Sequence, residues 1–273
     1  RLLLAQKNNN WKEELNSHTA LATAYIWDTD YTNALKTTFN LLDVAKKHQA
    51  TATIMIAYGM LAKIYGEVEN YDLAYQNLRK AKATYQGMDI NMKQAHTSQF
   101  FSMLTSEGVM NVSQKLYEKA NMCFKEALKI ARKINRSDKL LVGLVNLGDS
   151  LNALGKTKEA IVLAKEAIGI AEQINEARSW GAALTLLGTA YKNKKEWNKA
   201  RDCLHKSLEI SQKANLAKET RDALCILSEL YARQNKHDQA LSFHQQYVKV
   251  KEEMLNTENT KQIAQMAVSY THL

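Results

Sequence analysis

Leu187-Gly188-Thr189-Ala190-Tyr191, followed by Trp197-Asn198-Lys199-Ala200, is the stretch that decides how the chain is read. A small residue sits beside large apolar ones on one helical face, and an aromatic three residues on fills the space next to it. A short polar run follows, and then an aromatic and an alanine three apart. This spacing predicts two antiparallel helices joined by a short turn, touching where the glycine and the alanine leave room. The pattern recurs along the chain. Its alanine returns as Ala34, Ala74, Ala120, Ala160, Ala200 and Ala240, at intervals of 40, 46, 40, 40 and 40 residues. Three residues before each stand Tyr31, Tyr71, Tyr117, Thr157, Trp197 and His237; twelve before stand Ala22, Ala62, Gly108, Gly148, Gly188 and Ser228. Asn135, Asn175 and Asn215 mark the passage to the next repeat, where asparagine tolerates left-handed backbone and can cap a helix. Each helix is expected to hold roughly 16 residues and to run about 24 Å.

Composition agrees with a helical repeat. The 273 residues contain no proline and 10 glycines, and 45% are hydrophobic, too many for a disordered chain. No run of apolar residues is long enough to span a membrane. The net charge of +9 raises nucleic acid as a partner, but bases and acids alternate: Lys125, Lys129 and Arg132 share their segment with Glu118 and Glu126. Such mixing reads as a solvated helix face. Cys123, Cys203 and Cys225 cannot all pair, and none lies in a CxxC motif, so no disulfide framework is expected.

Leu187-Gly188-x-x-Tyr191 with Trp197-x-x-Ala200 resembles the tetratricopeptide repeat, as do Leu147-Gly148-x-x-Leu151 with Ala160 and Leu227-Ser228-x-x-Tyr231 with Ala240. The period of 40 is similar to the long-helix variety found in bacterial sensor kinases and transcriptional regulators. The resemblance implies an all-α, right-handed superhelical solenoid of antiparallel helix pairs. It divides the chain into four parts. Residues 1–14 read as the end of a truncated preceding repeat and a linker, since Ala5 lies 40 residues before Ala45. Residues 15–255 hold six repeats. Residues 256–267 resemble the helix that leads from a last repeat to an output domain, a kinase with a membrane segment or a helix-turn-helix. Residues 268–273, Val-Ser-Tyr-Thr-His-Leu, match a reading frame of a sequencing-library adapter and are expected to be non-biological.

Two irregularities stand out. Six additional residues between Ala74 and Ala120 are expected at Gly87–Asn91, as a turn lengthened into a loop. The third repeat carries Glu107 and Asn111 where leucine and tyrosine are expected.

No motif for catalysis appears: there is no glycine-rich phosphate loop, no GxSxG and no HExxH. His237 and His244 could share a helical face, but His237 occupies the aromatic position and is expected to pack. No catalytic residue, metal site or cofactor is assigned. Binding remains. By the resemblance, the first helix of each pair lines a concave groove, and residues 18, 15, 11 and 8 before each anchor alanine point into it. This selects Val142, Val145, Asp149 and Asn152 on one helix, Ala182, Thr185, Thr189 and Lys192 on the next, and Asp222, Cys225, Glu229 and Ala232 on the third; Asn146 lies beside Val145, and the polar members are the candidate contacts. The groove expected is polar and partly acidic, suited to a neutral or basic peptide or protein segment. Val145 with Asp149, Thr185 with Thr189 and Cys225 with Glu229 do not supply the lysine and asparagine clamp by which some relatives hold a C-terminal carboxylate. The leading expectation is the sensory or interaction region of a bacterial signalling protein; the alternatives are a free-standing scaffold and, behind it, a nucleic-acid-binding repeat. The cytoplasm is favoured over the periplasm, which a lost leader would imply.

Overall fold

In a computed structural model, the backbone is described for residues 2–271 and side chains for residues 2–254. Among the described residues fourteen α-helices follow one another and there is no strand. After a short α1 (Leu2–Lys7) come the pairs α2 (Trp11–Trp27) and α3 (Tyr31–Lys47), and α4 (Thr51–Glu67) and α5 (Tyr71–Gly87). A brief α6 (Ile90–Ala95) precedes α7 (Thr97–Ser113) and α8 (Tyr117–Ile134). Then come α9 (Ser137–Ala153) and α10 (Thr157–Gln173), α11 (Ala177–Asn193) and α12 (Trp197–Lys213), and α13 (Ala217–Arg233) with α14 (His237–Thr271). The chain is thus an all-α solenoid of helix pairs. Two compact units divide it, Arg1–Met110 and Asn111–Asn259.

The period follows from helix and turn lengths. Most of the paired helices are 17 residues long and are joined by three-residue turns, whose middle residue has positive φ. These residues fall twenty apart: Asn135, Gly155, Asn175, Lys195, Asn215 and Asn235, with φ between 50° and 74°. In the turn after α11 the Glu196 amide donates to the Tyr191 carbonyl and the Lys195 amide to Lys192, each at 3.0 Å. This is a Schellman ending, which satisfies the last carbonyls of one helix. The Glu196 carbonyl then accepts the first bond of α12 from Ala200 at 3.0 Å. One residue therefore closes one helix and opens the next. The asparagines take up the left-handed conformation expected of them, but the capping position falls one residue later. Glu176, not Asn175, accepts from the Arg178 and Ser179 amides.

The anchor alanines lie at the helix contacts: Ala34, Ala74, Ala120, Ala160 and Ala200 are fully buried, and Ala240 is nearly so. Opposite Ala200, a methyl group placed on Gly188 would come within 3.2 Å of the Ala200 carbonyl oxygen. The small position and the anchor thus set the separation of α11 and α12. In the Asn111–Asn259 unit, α11 packs against α9, α10, α12 and α13 at once, so that first helices form one layer and second helices the other. Leu144, Leu151, Ala167 and Leu186 fill the space between the layers.

The six additional residues do not form an open loop. Asp89 caps α6 by accepting from the Met92 amide at 2.9 Å, and Met88 is buried beneath it. Tyr85 stacks on Phe100 with ring centroids 4.3 Å apart and donates to the Lys93 carbonyl at 3.1 Å. The insertion is a pinned helical turn because its apolar residues reach the core of the first unit. Glu107, in place of leucine, pairs with Lys82 of α5. Asn111, in place of tyrosine, is buried, with its amide 3.8 Å from the Cys123 sulfur. At the ends, α2 begins at Trp11, ahead of the boundary expected at 15, and α14 continues without a break past 255. The side chains of 256–273, where the linker helix and adapter tail were expected, lie outside the described residues.

Candidate functional site: a groove across three first helices

The first helices α9, α11 and α13 line a partly open cavity of about 250 Å3 in the Asn111–Asn259 unit. Val142, Val145, Asn146 and Asp149 line it from α9, Arg178, Ala182 and Thr185 from α11, and Lys218, Glu219 and Asp222 from α13. These side chains converge because the three helices are one period apart and present the same turns to the same side.

Four of the eight polar candidates read from sequence meet in this cavity, Asn146, Asp149, Thr185 and Asp222, together with the groove positions Val142, Val145 and Ala182. The other four do not. Asn152 is buried and accepts from the Thr157 hydroxyl at 3.3 Å and from the Asn193 amide at 3.1 Å, tying α9 to its neighbours. The Thr189 hydroxyl donates within its own helix to the Thr185 carbonyl at 2.8 Å. Lys192 is 4% exposed and bonds Glu229 of α13. These positions lie at the far end of each first helix, where Asn152 and Lys192 bond a neighbouring repeat, while Glu229 itself remains exposed. Thr185 is itself engaged: Ser207 of α12 donates to the Gly181 carbonyl at 2.8 Å, which leaves Thr185 to donate to the Ser207 hydroxyl at 2.8 Å.

Three charged residues of the cavity escaped the sequence reading: Arg178, Lys218 and Glu219. The signal was present. Arg178 and Lys218 both stand 22 residues before their anchor alanines, one turn beyond the first position of the register.

The electrostatics are uneven. Arg178 lies 3.5 Å from Glu219, a buried carboxylate. Arg221 donates twice to Asp222, both times to Oδ1, at 2.9 and 2.6 Å. Asp149 opens on the cavity and has no such partner among the described residues. Asp149 remains exposed to solvent; partial desolvation by the surrounding helices, and then the Asp222 carboxylate, push its carboxyl above its ordinary value, and Lys218 opposes the rise. Burial pushes the thiols of Cys203 and Cys225 up, so both are protonated at neutral pH and neither is a ready nucleophile. Among the described residues no three of His, Cys, Asp and Glu cluster to hold a metal ion. No helix of the described residues is long and apolar enough to cross a membrane.

The arrangement can hold a ligand by shape, apolar contact and charge. The comparisons with known proteins concern the same helices. No curated protein matches the chain in sequence. Among solved structures, a signal transduction ATPase with numerous domains from Pyrococcus horikoshii, described as having a tetratricopeptide repeat sensor, superposes with a TM-score of 0.70 at 19% identity. The match covers 88% of this chain and 36% of that one, so the chain spans about a third of that protein's length. Aspartyl phosphate phosphatase F from Bacillus subtilis matches with a TM-score of 0.66 at 15% identity, over 92% of this chain and 74% of that one. A Rap protein complexed with competence and sporulation factor matches at 0.59 and 13% identity, over 94% and 84%. At these identities the likeness is one of fold. The family model described as "Tetratricopeptide repeat" matches residues 101–173 and 181–253, together more than half of the chain. With the anchor register and the twenty-residue alternation of helix and turn, this establishes that the chain belongs to the tetratricopeptide repeat family.

Proposed function

We propose that the chain is a protein- or peptide-binding module that holds a segment of its partner in the groove of α9, α11 and α13. The observation that carries this reading is the convergence of side chains from three successive repeats on one cavity. A repeat fold that only spaced other parts would have no need of it. The groove mixes apolar walls with acidic and basic groups, which suits a neutral or basic segment rather than a carboxylate terminus. We further infer a place in a bacterial signalling protein, with the groove as its sensory or interaction region. The fold likeness to a protein described with a tetratricopeptide repeat sensor, and to a Rap protein described as complexed with competence and sporulation factor, supports that setting.

The test is a random peptide library selected against the full chain. Selected peptides are then titrated against Ala182→Trp, which fills the cavity, and against Val162→Trp on the exposed face of α10. Binding lost in the first variant and kept in the second supports the reading. Equal binding to both variants sinks it.

A further inference from the structure

Resting on the groove reading above, we infer that the cavity seats one basic side chain, a lysine or arginine of the bound segment. Its aliphatic stem lies against Val142, Val145 and Ala182, and its cation sits between Asp149 and Asp222.

Three observations support this. The cavity, about 250 Å3, places Val142, Val145 and Ala182 beside Asp149 and Asp222, so that a cation carried on an apolar stem meets both kinds of surface at once. The positive charge already present is largely spent elsewhere. Arg178 is held by Glu219, and Arg221 takes only Oδ1 of Asp222. That leaves Oδ2 of Asp222 and both oxygens of Asp149 as acceptors for an incoming cation. Lys218 also faces Asp149, but the three carboxylates of the lining, Asp149, Glu219 and Asp222, outnumber its two cations, Arg178 and Lys218. A neutral apolar ligand would bury these acceptors unsatisfied, at a penalty that a cationic donor avoids.

The seat also makes binding depend on pH. The groups facing Asp149 are Asp222, Glu219 and Lys218 on α13 and Arg178 on α11. Partial desolvation, and then Asp222, raise the Asp149 carboxyl above its ordinary value, and Lys218 opposes the rise. A bound cation favours its charged form, so binding near neutral pH releases a proton, and affinity falls as the pH drops.

The probe is N-acetyl-arginine methylamide, with its neutral citrulline counterpart as control. Both are titrated into the full chain with labelled valine and alanine methyl groups and read by NMR. The arginine probe is expected to shift the methyls of Val142, Val145 and Ala182, and the citrulline probe to leave them in place. The arginine response is expected to weaken about tenfold in Asp149→Asn with Asp222→Asn, a factor that corresponds to about 1.4 kcal/mol. It is also expected to weaken as the pH falls from about 8 to about 6. Circular dichroism of the double variant establishes that it is folded. No shift with arginine, equal shifts with citrulline, or an unchanged response in the double variant overturns the inference. If selected peptides still lose binding in Ala182→Trp, the groove reading survives that failure.

Discussion

Replacing Gly188 by alanine tests the packing register at one atom. The new methyl carbon would stand 2.6 Å from Cγ of Leu204 and 3.2 Å from the Ala200 carbonyl oxygen. The first contact is with a branch carbon and the second with backbone, so neither neighbour can swing aside. Overpacking of this kind costs about 1–3 kcal/mol, and the upper half of that range applies here. Alanine in a helix interior returns about 1 kcal/mol relative to glycine. The net expectation is a loss of about 1–2 kcal/mol, or about 2–8 °C in Tm. Gly169 in α10 is the matched control, because a methyl group there meets nothing within 4 Å. Gly169→Ala is expected to gain about 0.5–1 kcal/mol from propensity alone. Urea unfolding followed by tryptophan fluorescence, in a Trp11→Phe, Trp27→Phe background, reads the unit that contains Trp180 and Trp197. A Gly188→Ala chain as stable as its parent, or a Gly169→Ala chain that gains nothing, would refute the argument that close approach at the small position sets the helix separation.

Other perturbations follow from the same structure. Ala160→Leu, at a fully buried anchor, is expected to lose about 1–3 kcal/mol by overpacking, measured by thermal melting. Glu229→Gln removes the charge opposite the buried Lys192 and is expected to cost about 1–3 kcal/mol. Lys192→Met, which removes the buried charge itself, is expected to cost less, and urea midpoints of the two variants give the order. In the folded chain the Asp149 carboxyl is raised above the ordinary value that it has in the unfolded chain. Between these values the folded state binds more protons, so stability falls as pH rises through that window. Asp149→Asn is expected to flatten this slope and to be the more stable chain at about pH 8, seen as a smaller difference between urea midpoints measured at acid and alkaline pH.

The repeat was legible because its determinants are local. A small residue, an aromatic and an alanine at fixed spacing specify where helices touch, and Asn135, Asn175 and Asn215 favour the left-handed turn by themselves. The same turn at Thr29, Gln49, Glu69 and Lys195 carries no such signature, since those residues are held left-handed by the helices they join. The helix α6 was hidden for a different reason: six residues are too few to show a period, and it is held by Asp89, Met88 and Tyr85 rather than by its own pattern. In the groove, the register found Asp149 and Asp222 but stopped one turn short of Arg178 and Lys218. At its other end it ran too far. Asn152 and Lys192 look groove-facing on an isolated helix, yet each bonds a residue of the following repeat, Asn193 and Glu229. The sequence of one repeat does not reveal how far the next one overlaps it.

The most direct measurement is photocrosslinking with a peptide selected on the native chain. A photoreactive residue is placed at Ala182 inside the cavity in one preparation and at Val162 on the exposed face of α10 in another. Mass spectrometry reads the covalent product. A groove-bound segment predicts an adduct at Ala182, suppressed by excess unmodified peptide, and none at Val162. Adducts at Val162, or none at Ala182 from a peptide that binds the chain, would contradict a binding surface on α9, α11 and α13.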